Sequence, residues 1–313
     1  MNYYKEEKVN IRSANNQDLP KIVNLLKQSL GESLMPKSEN FWRWKHVENP
    51  FGQSPVLIAE ENSELIGVRA FMQWHWKLNG KTLKAARAVD TATHPNHQGK
   101  GIFKKLTLQL IEDCKQNHVD FIFNTPNKNS MPGYLKMGWI KAGRLPIRLR
   151  FITPFEEFFF RNKVTQQISW EELEKTYYES NKIHSTITTP KSINYLKWRY
   201  QQVPVATYQI LKGEENEFVI YRIKEGRLKE LRVVEYLSDK QQVSKTLWIQ
   251  IKIAASKHHA RVITLSGKTN NFKKGVLLNV GPIVTIRQVS RDLPNELFLF
   301  INWSPSLGDL ELF

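Results

Sequence analysis

A single cysteine, Cys114, stands in 313 residues. It excludes an internal disulfide framework and any multi-cysteine metal site. Its place on the apolar stripe of a helix reads as a small buried hydrophobe. No window approaches the ~18 uninterrupted apolar residues of a membrane span. The opening MNYYKEEKVN holds no apolar core of a secretory signal, so a cytoplasmic protein is the expectation. His, Cys and Asp nowhere recur at metal-ligand spacing, so no catalytic metal is expected. Acidic residues are scarce: 30 Asp and Glu face 46 Lys and Arg, a formal charge of +16. That excess suits a polyanionic partner. It is spread along the whole chain without an arginine-rich tract, which argues against nucleic acid and fits a phosphate-bearing cofactor equally well. What is plentiful is apolar and aromatic: 16 Phe, 10 Tyr, 9 Trp and 41% hydrophobic residues, enough for real cores. The length suits two domains.

Along the chain, "VNIRSANNQDLPKIVNLLKQSL" reads as a short strand, a turn and an amphipathic helix. Asn16 or Asp18 can cap it, and Pro20 suits a first turn. Ile22, Leu25, Leu26 and Leu30 form its apolar stripe. "PVLIAEE" and "ELIGVRAFMQWHWKL" read as strands. Asn79-Gly80 is a two-residue hairpin signal, so strands around 65–78 and 81–93 should pair antiparallel. A helix over roughly 101–117 presents Phe103, Leu106, Leu110, Ile111 and Cys114 at helical spacing. "VDFIFNTP" is a near-continuous apolar run, as in a central buried strand. "NSMPGYLKMGWIKAG" reads as a short helix, a turn at Gly138 and a strand. The order is β-α-β-β-β-loop-α-β-α-β, a mixed α/β domain ending near 150.

The second half repeats the first. "SENFWRWKH" at 38–46 is echoed by "SINYLKWRY" at 192–200, at one offset (192 − 38 = 154). "GYLKMG" at 133–138 is echoed by "GVLLNVG" at 275–281. A helix-then-strand layout also recurs, so one supersecondary plan is used twice. The expected domains are 1–150 and 151–313.

One stretch of the first copy carries chemistry: "HPNHQGKGIFKKLTLQLIEDC", 94–114. It is neither a Walker loop, since Gly101 follows Lys100, nor a dinucleotide fingerprint, since position 104 is Lys. Small residues let successive backbone N–H groups turn toward one anion, and the helix that follows adds unpaired donors and a positive dipole end. Lys100, Lys104 and Lys105 add charge. The second copy has "SDKQQVS" at this place, without glycine.

Gln98-Gly99-Lys100-Gly101-Ile102-Phe103 resembles the pyrophosphate loop of the GNAT N-acetyltransferases (Gln-x-x-Gly-x-Gly/Ala). The resemblance covers about 1–150. The layout as a whole resembles the tandem-domain group that includes the enhanced intracellular survival acetyltransferases. It implies a mostly antiparallel sheet flanked by helices, duplicated in tandem, with acetyl-CoA as co-substrate. The last small position is Phe103, whose ring must turn into the core for the loop to close. The resemblance assigns Asn127 to the pantetheine arm and Tyr134, seven residues on, as proton donor to the leaving thiolate. It matches Thr91, Ala92 and Thr93 to the splayed strand whose backbone binds pantetheine. Asp90 stands on the same strand as a candidate base for the amine, or as a salt-bridged acid; His75, His94 and His97 are alternatives. Trp74 and Trp76 read equally as core and as walls of an acceptor cleft. The expected activity is N-acyl transfer to a primary amine by direct attack in a ternary complex, with the first domain active and the second degenerate. Two alternatives remain: a tRNA-dependent aminoacyltransferase of the tandem peptidoglycan type, and a non-catalytic module binding coenzyme A.

Overall fold

A computed structural model describes residues 9–31, 36–179, 185–240, 242–268, 272 and 275–310. The first half runs β1 (Asn10–Ser13), α1 (Leu19–Leu30), α2 (Glu39–His46), β2 (Val56–Glu61), β3 (Glu64–Leu78), β4 (Lys81–Thr93), α3 (Ile102–Gln116), β5 (Phe121–Asn124), α4 (Met131–Lys136) and β6 (Ile140–Arg144). The second runs β7 (Ile147–Phe151), α5 (Pro154–Phe160), β8 (Gln167–Ile168), α6 (Trp170–Thr176), α7 (Ile193–Leu196), β9 (Gln209–Lys212), β10 (Phe218–Lys224), β11 (Glu230–Leu237), α8 (Lys245–Lys257), β12 (Val262–Ser266), β13 (Val276–Leu278), β14 (Ile283–Gln288) and α9 (Leu307–Leu310). The fold is mixed α/β: two mostly antiparallel seven-stranded sheets with helices.

Local chemistry explains the first sheet. The β3–β4 hairpin turns at Asn79 (φ +50°) and Gly80 (φ +78°). Positive φ at both positions is what the primed two-residue turn requires. Successive residues of a strand face opposite ways. Leu57 accordingly joins the core under α3, with Leu106, Leu110, Ile111 and Cys114, while Ile58 joins the core under α1, with Ile22, Leu25 and Leu26. The two helices therefore cover opposite faces of one sheet. Cys114 is buried, and burial pushes its thiol up to about 12, which fits an inert packing residue. The side chain of Leu30 lies outside the described residues. At Gly67 a Cβ would stand 2.7 Å from Ile102 Cγ2, so the first residue of α3 packs against bare β3 backbone. The helix start is fixed in place by that close approach.

The sheet orders hold a feature that local pattern does not reveal. The first sheet runs β1-β2-β3-β4-β5-β14-β6 and the second β13-β7-β12-β11-β10-β9-β8. Residues 147–151, most of them inside the expected first domain, thus pair in the second sheet, and residues 283–288, inside the expected second domain, pair in the first. Ile283–Gln288 returns to pair with β5, Thr285 opposite Asn124, while Ile147–Phe151 pairs with β12, Val262 opposite Phe151. A single cut near 150 does not describe this exchange: residues 285–294 belong to the first compact unit and 142–284 to the second. The echo of "GYLKMG" in "GVLLNVG" also fails as structure, since the first lies on helix α4 and the second on strand β13. By sheet position β13 corresponds instead to β6. Helix α2, carrying the repeated tryptophan motif, is an element the expected order omits. Among the described residues no helix is long and apolar enough to cross a membrane.

The exchange predicts that residues 1–150 alone lack a cooperative fold, because β5 loses the strand that buries Val284 and Ile286. Thermal unfolding followed by circular dichroism should be broad for that fragment and sharp for the whole chain. A sharp transition in the fragment contradicts the assignment of β14.

Candidate active site

Strands β4 and β5 run parallel but pair only over Ala85–Arg87 and Phe121–Phe123. Beyond Arg87 the first strand continues to Thr93 while the second ends at Asn124. The two therefore part, and the β5 side of residues 88–93 is left without a strand. Asp90 sits in this stretch at φ +41°. A left-handed residue inside an extended run marks a bulged strand, and Asp tolerates it better than most.

At the end of β4 the chain enters the glycine loop. Gly99 (φ +79°) and Gly101 (φ +77°) are both left-handed, and a Cβ built on either meets nothing within 4 Å. Glycine is needed here for backbone conformation, and the space around the loop is open. Gly101 is the N-cap of the 15-residue α3, and no side chain caps the helix. Its first turn holds Lys104 and Lys105 and no acid. Unpaired N–H donors and lysines at this helix end favour negative charge. The Gln98 amide turns toward the Thr93 carbonyl at 3.5 Å. Lys100 Nζ stands 3.3 Å from His97 Nδ1, and His97 Nδ1 stands 3.2 Å from Glu61. Phe103 packs on the core, its ring edge-on to Tyr134 at 5.7 Å. The ring has turned inward, as closure of the loop requires.

The equivalent helix of the second unit, α8, is closed. Ser244 caps it through the Leu247 N–H, and Ser244 N–H itself donates to Glu217 at 2.8 Å. The place where an anion would sit is filled by the protein's own oxygen atoms.

Tyr134 is buried on the short helix α4, and its hydroxyl accepts a hydrogen bond from Arg69 Nη2 at 2.8 Å. Arg69 Nη1 donates to Thr91 Oγ1 as well. Tyr134 and Thr91 are thus joined through a residue that sequence reasoning missed. The signal was present: Arg69 is a lone charge inside "LIGVRAFM". Ala92 is buried under α1, which puts Thr91 and Thr93 on the other face. Asn127 is exposed, and its carboxamide oxygen accepts from Asn129 N, Ser130 N and Ser130 Oγ at 2.9–3.0 Å. It shapes the entry to α4 and keeps only its amide hydrogens for a ligand.

Asp90 differs from the expected base. Its Oδ2 lies 2.8 Å from Lys45 Nζ and 2.8 Å from His46 Nε2. Burial raises a carboxyl, but Lys45 and His46 overcome this and hold Asp90 far below the usual carboxylate range. A group so firmly ionised is a poor proton acceptor at neutral pH. His46 is buried, desolvation lowers its pKa, and its Nδ1 meets Ser54 Oγ at 2.9 Å. The other candidates have partners elsewhere, His97 among them at Glu61. His75 packs against Phe51, His94 bonds Asn96 N, and Trp74 and Trp76 are core residues. A cavity of about 250 Å³ beside Trp42, His46 and Ser54 includes no residue of the glycine loop. Among the described residues no group of His, Cys, Asp and Glu could hold a metal ion.

The second unit repeats the Asp90 cluster. Glu235 accepts from Lys191 Nζ and Tyr200 hydroxyl, both at 2.8 Å. Lys191 and Tyr200 stand at the repeat offset from Lys37 and His46, and the Lys37 ammonium feels the Asp90 charge. The strand carrying Glu235 is bulged too, since Ile220 pairs with Glu235 but Tyr221 with Val233. A feature kept in the copy with a closed helix is a device of the fold. Asp90→Asn should therefore cost about 3–5 kcal/mol in denaturant unfolding, by leaving Lys45 buried and unpaired. The depressed carboxyl contributes stability above about pH 4 and loses it below. The variant should show a flatter acid limb; unchanged stability at neutral pH contradicts this role.

Comparison with known proteins agrees with this geometry. The pattern of the acetyltransferase (GNAT) domain matches residues 10–142. Over 95 residues the chain is 30% identical to the L-amino acid N-acyltransferase MnaT of Escherichia coli K12, covering 29% of this chain and 54% of that protein. The chain spans about half the length of the curated relatives it matches. In fold it is similar to a conserved protein of Enterococcus faecalis V583 described as a probable N-acyltransferase (TM-score 0.68, 13% identity, 90% of this chain and 73% of that one). It is also similar to Eis1 of Mycobacterium abscessus (TM-score 0.56, 12% identity, 90% and 74%). Residues 10–142, with the open loop and the parted strands, belong to the GNAT acetyltransferase family.

Proposed function

We propose that this protein transfers an acyl group, acetyl in the first instance, from coenzyme A to a primary amine by direct attack in a ternary complex. The active domain in this reading is 1–150, completed by β14; 151–313 is a degenerate copy. The observation that carries it is the uncapped N-terminus of α3, with two left-handed glycines, placed where β4 leaves β5. The N–H groups of Gly99, Lys100, Gly101, Ile102 and Phe103, with Gln98 beside them, cradle the pyrophosphate. The backbone of Thr91, Ala92 and Thr93, which no residue of β5 pairs, holds the pantetheine arm, helped by the Asn127 amide. A backbone N–H of this stretch faces the thioester oxygen and stabilises the charge that develops there.

The amine nitrogen bonds to the acyl carbon, and the C–S bond breaks with its electron pair on sulfur. Tyr134 gives that sulfur a proton. An alkyl thiol has a pKa near ~8.5, so it leaves fairly well unaided, and the acid contributes toward the low end of the ~10²–10⁴ typical of such groups. Asp90 supplies negative charge and strand geometry, and the surplus amine proton leaves to water, from which Tyr134 regains the proton it gave to sulfur. Similarity to an L-amino acid N-acyltransferase makes α-amino acids the first acceptor class to test.

Free-thiol release from acetyl-CoA should rise on adding one member of an L-amino acid panel. Tyr134→Phe should lower kcat on the order of 10²-fold, with little change in affinity for acetyl-CoA. Equal rates in the two proteins would remove Tyr134 from the chemistry. No release with any amine, despite binding, would favour a non-catalytic module.

A further inference from the structure

Arg69 is fully buried, yet it meets no carboxylate among the described residues. Its guanidinium rests on the rings of Phe71, Phe103 and Tyr134, with centroids 4.8, 5.4 and 5.3 Å away. Its two hydrogen bonds go to neutral hydroxyls, Thr91 and Tyr134. Its Nε is buried without a partner. A buried cation without an anion is costly, and ring faces offset only part of that cost. Such a residue is retained where an anion arrives. The two hydroxyls fix the place: one is on the stretch of β4 that has left β5, the other is the proposed proton donor.

The Tyr134 contact also has a direction. A guanidinium only donates hydrogen bonds, so the phenol oxygen must accept from Arg69. The phenol proton is then free to point away from Arg69, toward a second acceptor. Asp90 precedes Thr91 on the strand, but Lys45 and His46 already hold its carboxylate.

We propose that Arg69 is the positioning residue of the transfer: it turns the Tyr134 proton toward the coenzyme A sulfur and lays positive charge beneath the thiolate as it leaves. This rests on the acyltransferase reading above. In electron terms Arg69 forms and breaks no bond. The sulfur leaves with the C–S pair, Tyr134 protonates it, and Arg69 stabilises the charge carried between those events. The residue is therefore tuned to the product thiolate rather than to the neutral thioester, which is the condition for lowering a barrier.

The test needs no acceptor and no turnover. Coenzyme A and desulfo-coenzyme A, which lacks the sulfur, are titrated into the protein by calorimetry at pH 9, where the thiol is largely ionised. Among the described residues the ionisable side chain in contact with Arg69 is Tyr134, so Tyr134→Phe is titrated beside the wild type and should leave the Arg69-dependent preference in place. Wild type should bind coenzyme A at least about tenfold more tightly than the desulfo compound, as a charge-assisted hydrogen bond implies. Arg69→Met should bind the two alike while keeping its affinity for the desulfo compound. Arg69→Lys, which restores the charge, should recover most of the preference. If Arg69→Met does not fold, Arg69→Gln replaces it. Equal binding of both ligands by wild type overturns this inference and leaves the acyltransferase reading standing. Failure of wild type to bind either ligand overturns that reading, and this inference with it.

Discussion

Two parallel strands share only three paired residues each and then separate, and the rest of the first unit is arranged around that separation. β4 must bend away from β5 while staying in its sheet, which puts a left-handed backbone at Asp90. That conformation is unfavourable for any residue with a Cβ, by about 1–3 kcal/mol. Lys45 and His46, on α2, hold the Asp90 carboxylate and so offset the strain. The freed backbone of Thr91–Thr93 leads directly into the loop, and Gly67 lets α3 start close against the sheet. An uncapped helix end and an open strand edge thereby meet at one place. Neither element alone would specify a ligand with both a pyrophosphate and an extended arm.

The second unit shows what happens when the frame is kept and the chemistry is not. Its parallel strands also pair over three residues, Glu230–Arg232 against Val262–Thr264, and it too has a bulge beside a buried acid. A lysine and a bonded hydroxyl or imidazole surround that acid in both copies; His46 and Tyr200 share the repeat offset, whereas the bonded lysines, Lys45 and Lys191, do not. The helix end is where the copies diverge. Gly101 leaves its donors open, whereas Ser244 and Glu217 occupy theirs. The frame therefore stabilises a duplicated fold, and the helix cap is where the copies differ at the proposed phosphate site.

Much of this was legible in the sequence, for physical reasons that differ by element. Asn79-Gly80, the stripe of α3 and the loop 98–103 are local: each is encoded within a few residues by turn preference, helical period or the need for positive φ. The direction of the Phe103 ring was a condition that the sequence set without deciding it. The exchange of β7 and β14 was not legible, because strand pairing across more than a hundred residues leaves no local period. Asp90 was left open between a base and a salt-bridged acid for a related reason. Its partners lie 45 and 44 residues away, and only their proximity shows that its charge is already used. Arg69 could have been found as a charge in an apolar strand, although its partners Thr91 and Tyr134 could not. Buried polar groups are specified by tertiary geometry, and it is there that the candidate site gained and lost members.

The central claim is that the open end of α3 holds the pyrophosphate of coenzyme A. Calorimetric titration of acetyl-CoA into the wild type and into Gly101→Asp tests it most directly. The substitution places a β-carbon at a left-handed position and a carboxylate against the anion site. Micromolar binding by wild type that vanishes in the variant is the predicted result. Equal binding by both, or none by wild type, would contradict the account.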